Sequence, residues 1–254
     1  MAISAARVAS RRFANVFFVG FCGLVTIVAL TALALILYSL VTQGMAGMNL
    51  DIFTKSTPAA GTPGGLINAI VGSIMMSVLG MVIALAVGIL AGTWLAEYAG
   101  SSPYGGVVRF LNDVLLSAPS ILVGLFVYQM LVANVFHHFS GIAGAVALGT
   151  PVWQVIRQVL WRAAQSGILT GGLLAFARIS GETAPLLFTG LNNQFFSWDM
   201  THAMANLPVV IFQDAMTPYA DLNRLAWAGA LLIAAAVLTV TILARAFSRE
   251  QKRS

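Results

Sequence analysis

Arg178 and Glu182 stand four residues apart in a stretch that is otherwise free of charge from about Ser166 to Leu191. On a helix that spacing sets both side chains on one face, within reach of each other. Near the middle of a membrane span each charge costs about 2.5–3.5 kcal/mol on insertion scales, so such residues face a partner or a pathway. Two readings follow. A guanidinium presents paired N–H donors in a planar fork that fits two oxygens of an oxyanion, and a carboxylate alongside can hold it and then exchange partners. Equally, the two charges can fix helix packing by neutralising each other or a neighbouring subunit. Thr183 and Pro185 follow at once, a hydroxyl and a helix breaker that either open backbone groups to a water-filled cavity or serve packing. Ser117 and Ser120 flank Pro119 in LLSAPSI, with the same two uses: lining a pathway or packing against another helix.

The remaining titratable groups read as bystanders. Glu97 and Asp113 lie at the edges of apolar runs, and His137, His138 and His202 lie in loops, where they mark interfaces rather than bind metal. Cys22 sits inside the first apolar run, so there is no disulfide framework, and no Cys/His spacing fits a metal site. No GxxxxGKS or GxxxxGKT phosphate-binding loop is present, and no nucleophile, base and oxyanion arrangement is visible. The expectation is a chain without metal or cofactor that is not an enzyme.

The elements that position these residues are membrane spans. The chain is 59% hydrophobic and 8% charged, against about a quarter charged in a soluble domain. The thirteen Lys and Arg give a net charge of +5, but they sit singly at the ends of apolar runs, which is the signature of topology and not of a nucleic-acid partner. The first run, with an apolar core at about 16–41, is too long for a signal-peptide core of roughly 7–15 residues. Further runs lie at about 66–95, 114–136, 166–191 and 225–244, the last two separated by a polar loop. That makes five spans. Arg7, Arg11 and Arg12 place the N-terminus in the cytoplasm, and Arg245, Arg249, Lys252 and Arg253 place the C-terminus there too, which requires an even number of crossings. With Arg157 and Arg162 marking an inside loop, the missing crossing falls at about 140–156. Its seventeen residues, SGIAGAVALGTPVWQVI, contain Pro151 and barely span even as a full helix. The fold expected is all-α and polytopic, five clear helices plus a shortened sixth crossing.

The run ARISGETAPLLFT, Ala177–Thr189, resembles the signature of the PstA-type permease family of phosphate-specific ABC importers. GGLINAIVGS, LAEYAG, LLSAPSILVGLFVY, SGILTGGLLA, ANLPVVIF and LAWAGALL are similar to the same family, so the resemblance covers nearly all the chain after residue 60. It implies a bacterial inner-membrane permease with both termini cytoplasmic. The implied partners are a second homologous permease subunit, two ATPase subunits, a periplasmic phosphate-binding protein and the surrounding lipid. The implied substrate is inorganic phosphate, with Arg178 as the pathway cation. The resemblance also implies an ATPase-docking loop between the fourth and fifth spans, of which 147–162 looks like the later half. Gly149, Thr150, Trp153 and Ile156 are its candidate contacts, while Ala143 stands where the family has Glu. The fourth span and the loop look fused near 148–150, as if roughly forty residues, a span plus half a loop, were absent relative to the family. That shortening opens a second reading: a permease that assembles with its partners but cannot couple, acting only as an interaction or regulatory subunit.

Overall fold

In hydrocarbon every backbone N–H and C=O must find a partner within the chain, and helices achieve that locally. The computed structural model describes residues 5–97, 102–108, 110, 119–149 and 175–250, and among these there is helix but no strand. The chain divides into two units, 1–43 and 44–254.

The first unit is most of one helix, α1, Ala5–Gly47. Its apolar window Ala14–Gly47 is long enough to cross a membrane, and its most apolar stretch is not buried inside the chain. Phe17, Ile27 and Leu35 are each more than half exposed, as side chains facing lipid are. Thr26 and Thr31 donate to the Cys22 and Ile27 carbonyls at 2.8 Å, so their hydroxyls are satisfied within the helix.

The second unit holds two more helices of spanning length, α2 (Ile67–Glu97) and α6 (Ala220–Glu250). Between them come α3 (Ser120–Val127), helical segments at 141–149 and 175–179, α4 (Ala184–Thr189) and α5 (Leu207–Ala215). Among the described residues three helices, α1, α2 and α6, meet the length and hydropathy of a span, and Ser120–Phe136 is apolar but shorter. The chain is a multi-pass membrane protein.

Lipid tails are as apolar as leucine, so packing inside a membrane protein depends on close approach rather than on escape from water. Small residues provide that approach here. Gly80 on α2 meets both Ala145 and Gly149 on segment 141–149, and Ala84, one turn on, is buried in the same core. A Cβ on Gly80 would lie 2.7 Å from the Ala145 carbonyl oxygen, and one on Gly149 would lie 2.8 Å from that of Gly80. Met76, Ala84, Ala145, Leu148, Ile179 and Leu186 form the core around this seam.

Several expectations shift. Of the span expected at 114–136, residues 114–118 lie outside the described residues; Ser120–Val127 is α-helical and the chain continues as a π-helix over Tyr128–Phe136. There Asn134 Nδ2 donates to the Gln129 carbonyl five residues back, the interval of a π-turn. The crossing expected at 140–156 is described as helix over 141–149, buried on nearly every side, and its remainder lies outside the described residues. The polar loop expected between the last two spans contains α5, whose N-cap Asn206 accepts from the Val209 N–H at 2.9 Å, with Pro208 in the first turn. That cap followed by Pro is the sequence signal for the helix.

At one end of the unit the loops are tied together. Asn68, in the first turn of α2, accepts from the Thr57 N–H and hydroxyl at 3.0 Å and donates to the Asn193 carbonyl at 2.9 Å. Asp221 Oδ2 accepts the Gly61 N–H at 2.7 Å. The free N–H groups at the start of segment 141–149 find the His202 and Met200 carbonyls, at 2.9 and 3.0 Å, which completes that helix end.

Candidate functional site

The site begins where a helix stops. Segment 175–179 ends as Ser180 turns its hydroxyl onto the Phe176 carbonyl at 2.7 Å. Gly181 and Glu182 then close tight turns, donating to the Arg178 and Ile179 carbonyls at 3.3 and 3.2 Å. Helix resumes at Ala184, with Pro185 in the first turn of α4 and Thr183 at its N-cap without a side-chain bond. Pro185 has no N–H to carry a helix back across the gap. Arg178 and Glu182 thus do not share the face of one continuous helix. Arg178 ends one segment, and Glu182 lies in the interruption.

The turn nevertheless brings them together. Arg178 Nε lies 3.8 Å from Glu182 Oε1, with the arginine side chain 49% exposed and the glutamate 16%. That separation is too long for a hydrogen bond. Glu182 is the one charged partner of Arg178 among the described residues, and the contact is made by Nε, not by the paired Nη donors. A guanidinium held loosely by a mostly buried carboxylate can take an oxyanion on its open side.

Other elements frame the break. α3, which starts at Ser120 after Pro119, packs on α4 so closely that a Cβ on Gly124 would sit 2.5 Å from Pro185 Cα. Ser120 and Thr183 are both half-buried, and Ser117 lies outside the described residues. On the α2 side a cavity of about 130 Å³ runs between α2, α6 and the break, apolar apart from Ser73, Ser77 and Ser180. Sequence reasoning passed over these three hydroxyls: Ser73 and Ser77 share one face of α2 at a spacing of four, Ser180 lies between the two charges, and only the packing brings Ser180 to the other two. Ser73 Oγ accepts the Leu207 N–H at 2.7 Å and so anchors the start of α5.

Of the residues expected to meet an ATPase, Gly149 lies in helix 141–149, back to back with Gly80; Thr150, Trp153 and Ile156 lie outside the described residues. Asp113 does too. His138 stacks on His202 with ring centroids 5.2 Å apart, and His202 Nδ1 is 2.8 Å from Asp199 Oδ2. Hydrogen bonds from Thr201 and His202 hold the exposed Asp199 carboxyl down at about 2. Asp214, on α5, was overlooked as well. It is 7% exposed, its Oδ2 has no hydrogen-bond partner among the described residues, and burial with Asp221 nearby pushes its carboxyl up to about 6.

No family model matches the chain. Among curated proteins it is 47% identical over 272 residues to the phosphate transport system permease protein PstA of Haemophilus influenzae, covering 95% of this chain and 96% of that protein. It is 48% identical to the PstA of Pasteurella multocida, over 86% of this chain and 88% of the relative. To the probable phosphate transport system permease protein PstA of Methanocaldococcus jannaschii it is 30% identical, over 87% and 88%. The first alignment is longer than the chain. It runs over 272 positions, whereas 95% of 254 residues is about 241, so about 31 positions of the relative have no residue opposite them here. The archaeal alignment gives 251 positions against 87% of 254, about 221 residues, and so about 30. An internal shortening is therefore present, smaller than the forty residues expected.

Proposed function

The chain belongs to the PstA family of phosphate transport system permeases and is a permease subunit of a phosphate importer; we propose that inorganic phosphate crosses it past Arg178. The observation that carries this reading is the half-exposed guanidinium at a helix interruption, held by one long contact to Glu182. Phosphate offers the oxygen pair that an arginine fork binds, and Glu182 takes the guanidinium back when the anion leaves. Ser120 and Thr183, with Ser117, supply hydroxyl donors along the same path. Interrupted helices at membrane depth are the usual place for such sites, since the freed backbone groups line a cavity instead of lipid.

In the full assembly a second, homologous permease subunit completes the pore, two ATPase subunits hydrolyse ATP, and a periplasmic binding protein delivers phosphate. The chain lies in the bacterial inner membrane with both termini cytoplasmic, crossing by five spans and the shortened one at about 140–156. The shortening falls near 148–150, which leaves Trp153, Val155 and Ile156 as an apolar face for an ATPase, with Thr150 beside it, in the manner of a helix inserted into a groove. The chain itself transports and is not an enzyme.

Phosphate uptake in cells lacking their own copy of this permease, complemented by this chain, tests the proposal. Uptake with the wild-type chain and a roughly 10–100-fold lower rate with Arg178→Ala at equal membrane levels is the expected result; normal uptake by Arg178→Ala overturns it. The missing positions motivate a second reading, a permease that assembles without coupling. It holds if this chain fails to support uptake while a version with the relative's extra residues restored succeeds.

A further inference from the structure

The loop between α4 and α5 carries Phe195, Phe196 and Trp198 within four residues, and they are 80%, 41% and 67% exposed. The loop that presents them is pinned from behind. Asn68 donates to the Asn193 and Gln194 carbonyls at 2.9 and 3.2 Å. Asn193 donates to the Ala203 carbonyl at 3.2 Å and accepts the Phe195 N–H at 3.0 Å, while Ser197 Oγ accepts the Asp199 N–H at 3.0 Å. Polar side chains thus turn inward and rings turn outward, Phe196 and Trp198 meeting edge to face at 5.2 Å. This is a fixed presentation of apolar surface outside the spanning helices.

Three features say what covers it. The first is depth: Asn68 is the second residue of α2, whose apolar window starts at Ile67, so the loop lies level with the end of the hydrocarbon-spanning stretch. Charge is the second, since the one acidic side chain of residues 191–206, Asp199, is bonded to His202, and no Lys or Arg is present there. The third is size. Three partly exposed rings, at about 150–250 Å² each when fully buried, fall short of the roughly 800 Å² per partner that a stable protein interface needs.

We infer that the loop 194–198 is an interfacial anchor, with Phe195, Phe196 and Trp198 seated at the boundary between lipid headgroups and acyl chains. Aromatic side chains concentrate at that depth because one part of the ring system prefers hydrocarbon and its edge or N–H prefers water. Through Asn193 and Asn68 the anchor sets the height of α2 relative to the bilayer. The inference depends on the chain being a membrane protein and not on Arg178 or phosphate.

The test uses the full chain in phosphatidylcholine vesicles, with Trp94, Trp153, Trp161 and Trp227 changed to Phe so that Trp198 alone emits. Lipid brominated near the headgroup is expected to quench Trp198 about twofold more than lipid brominated near the chain end, with little quenching by aqueous iodide. Should the four changes spoil folding, Phe195→Cys in a Cys22→Ser background, labelled with an environment-sensitive fluorophore, reads the same depths. Strong iodide quenching without lipid quenching places the rings in water and overturns the inference. Protection from both quenchers means another protein covers the loop, and that also overturns it.

Discussion

α2 and the run 175–189 pack into one core and are built in opposite ways. α2 is unbroken for 31 residues and carries no charge before Glu97. Its closest contacts come at Gly72 and Gly80, where the missing side chain lets backbones touch. The 175–189 run contributes Ala175, Ile179 and Leu186 to the same core, yet it stops at Ser180 and resumes at Ala184, and both of its charges lie at the stop. Continuity satisfies the backbone and suits a scaffold. Interruption leaves polar groups free in a setting where they are costly, which is tolerable only where the surrounding protein or a water-filled path receives them.

If that division of labour holds, substitutions on the two elements have separable effects. The largest is at Arg178. Hydrogen bonds to charged groups contribute about 1.5–3 kcal/mol, so Arg178→Ala should cut phosphate uptake roughly 10–100-fold, with membrane abundance and thermal unfolding unchanged. Arg178→Lys should recover part of that, since a point charge lacks the fork. An Arg178→Ala protein that unfolds at lower temperature would move the residue from the pathway to the scaffold.

Gly80→Val makes the converse case. The added Cβ would lie 2.7 Å from the Ala145 carbonyl oxygen and 3.3 Å from Leu148 Cβ, and the first of these is backbone and cannot rotate away. A loss of about 1–3 kcal/mol of stability is expected, seen as a lower unfolding temperature in detergent, with uptake per folded molecule retained. Loss of uptake at full stability would break the comparison from the other side.

Pro185→Ala sharpens it. Alanine restores an N–H that can reach the Gly181 carbonyl, so helix can grow back over residues 182–183 and set Glu182 on Arg178 as a tight pair four residues along. Uptake should fall about tenfold, near 1.4 kcal/mol, while stability holds or rises. Unchanged uptake would mean that the interruption is structural.

How much of this the sequence disclosed follows the same division. Long charge-free runs revealed α1, α2 and α6, because length and hydropathy are properties of each run alone. The pair Arg178 and Glu182 stood out for the same reason, as charge where lipid forbids it. Their geometry did not, since a spacing of four implies a shared face only if the helix continues, and Ser180, Gly181 and Pro185 together stop it. The seam of Gly80 with Gly149 was hidden because small residues are common in all these runs and only the fold pairs them. α5 was read as loop: nine residues are too few for a periodic signal to outweigh Asn192, Asn193 and Asp199 before it, although Asn206 and Pro208 mark its start. That the chain is internally short relative to its family was legible from the residues, and the relatives' extra positions agree in kind; the crossing at about 140–156 to which charge counting assigned it is described only over 141–149.

The smallest expected effect concerns Asp214, a scaffold carboxyl that no contact explains. It sits near the C-terminal end of α5, where the helix dipole is negative, 7% exposed and with Oδ2 unpartnered. Burial first, and the Asp221 charge second, raise its carboxyl to about 6 from the usual 3.8. A raised acid favours the folded state while it is protonated and ceases to do so as pH rises through the folded value. Stability from this group is thus complete below about 3.8 and lost by a little above 6. The unfolding temperature of the wild-type chain should be higher at about pH 5 than at about pH 8, and Asp214→Asn, which keeps the shape and cannot ionise, should flatten that difference without altering uptake. An Asp214→Asn chain that keeps the full pH slope would assign the slope to other groups and leave Asp214 as an ordinary buried acid. One that loses uptake would put α5 with the interrupted run, on the working side of the comparison.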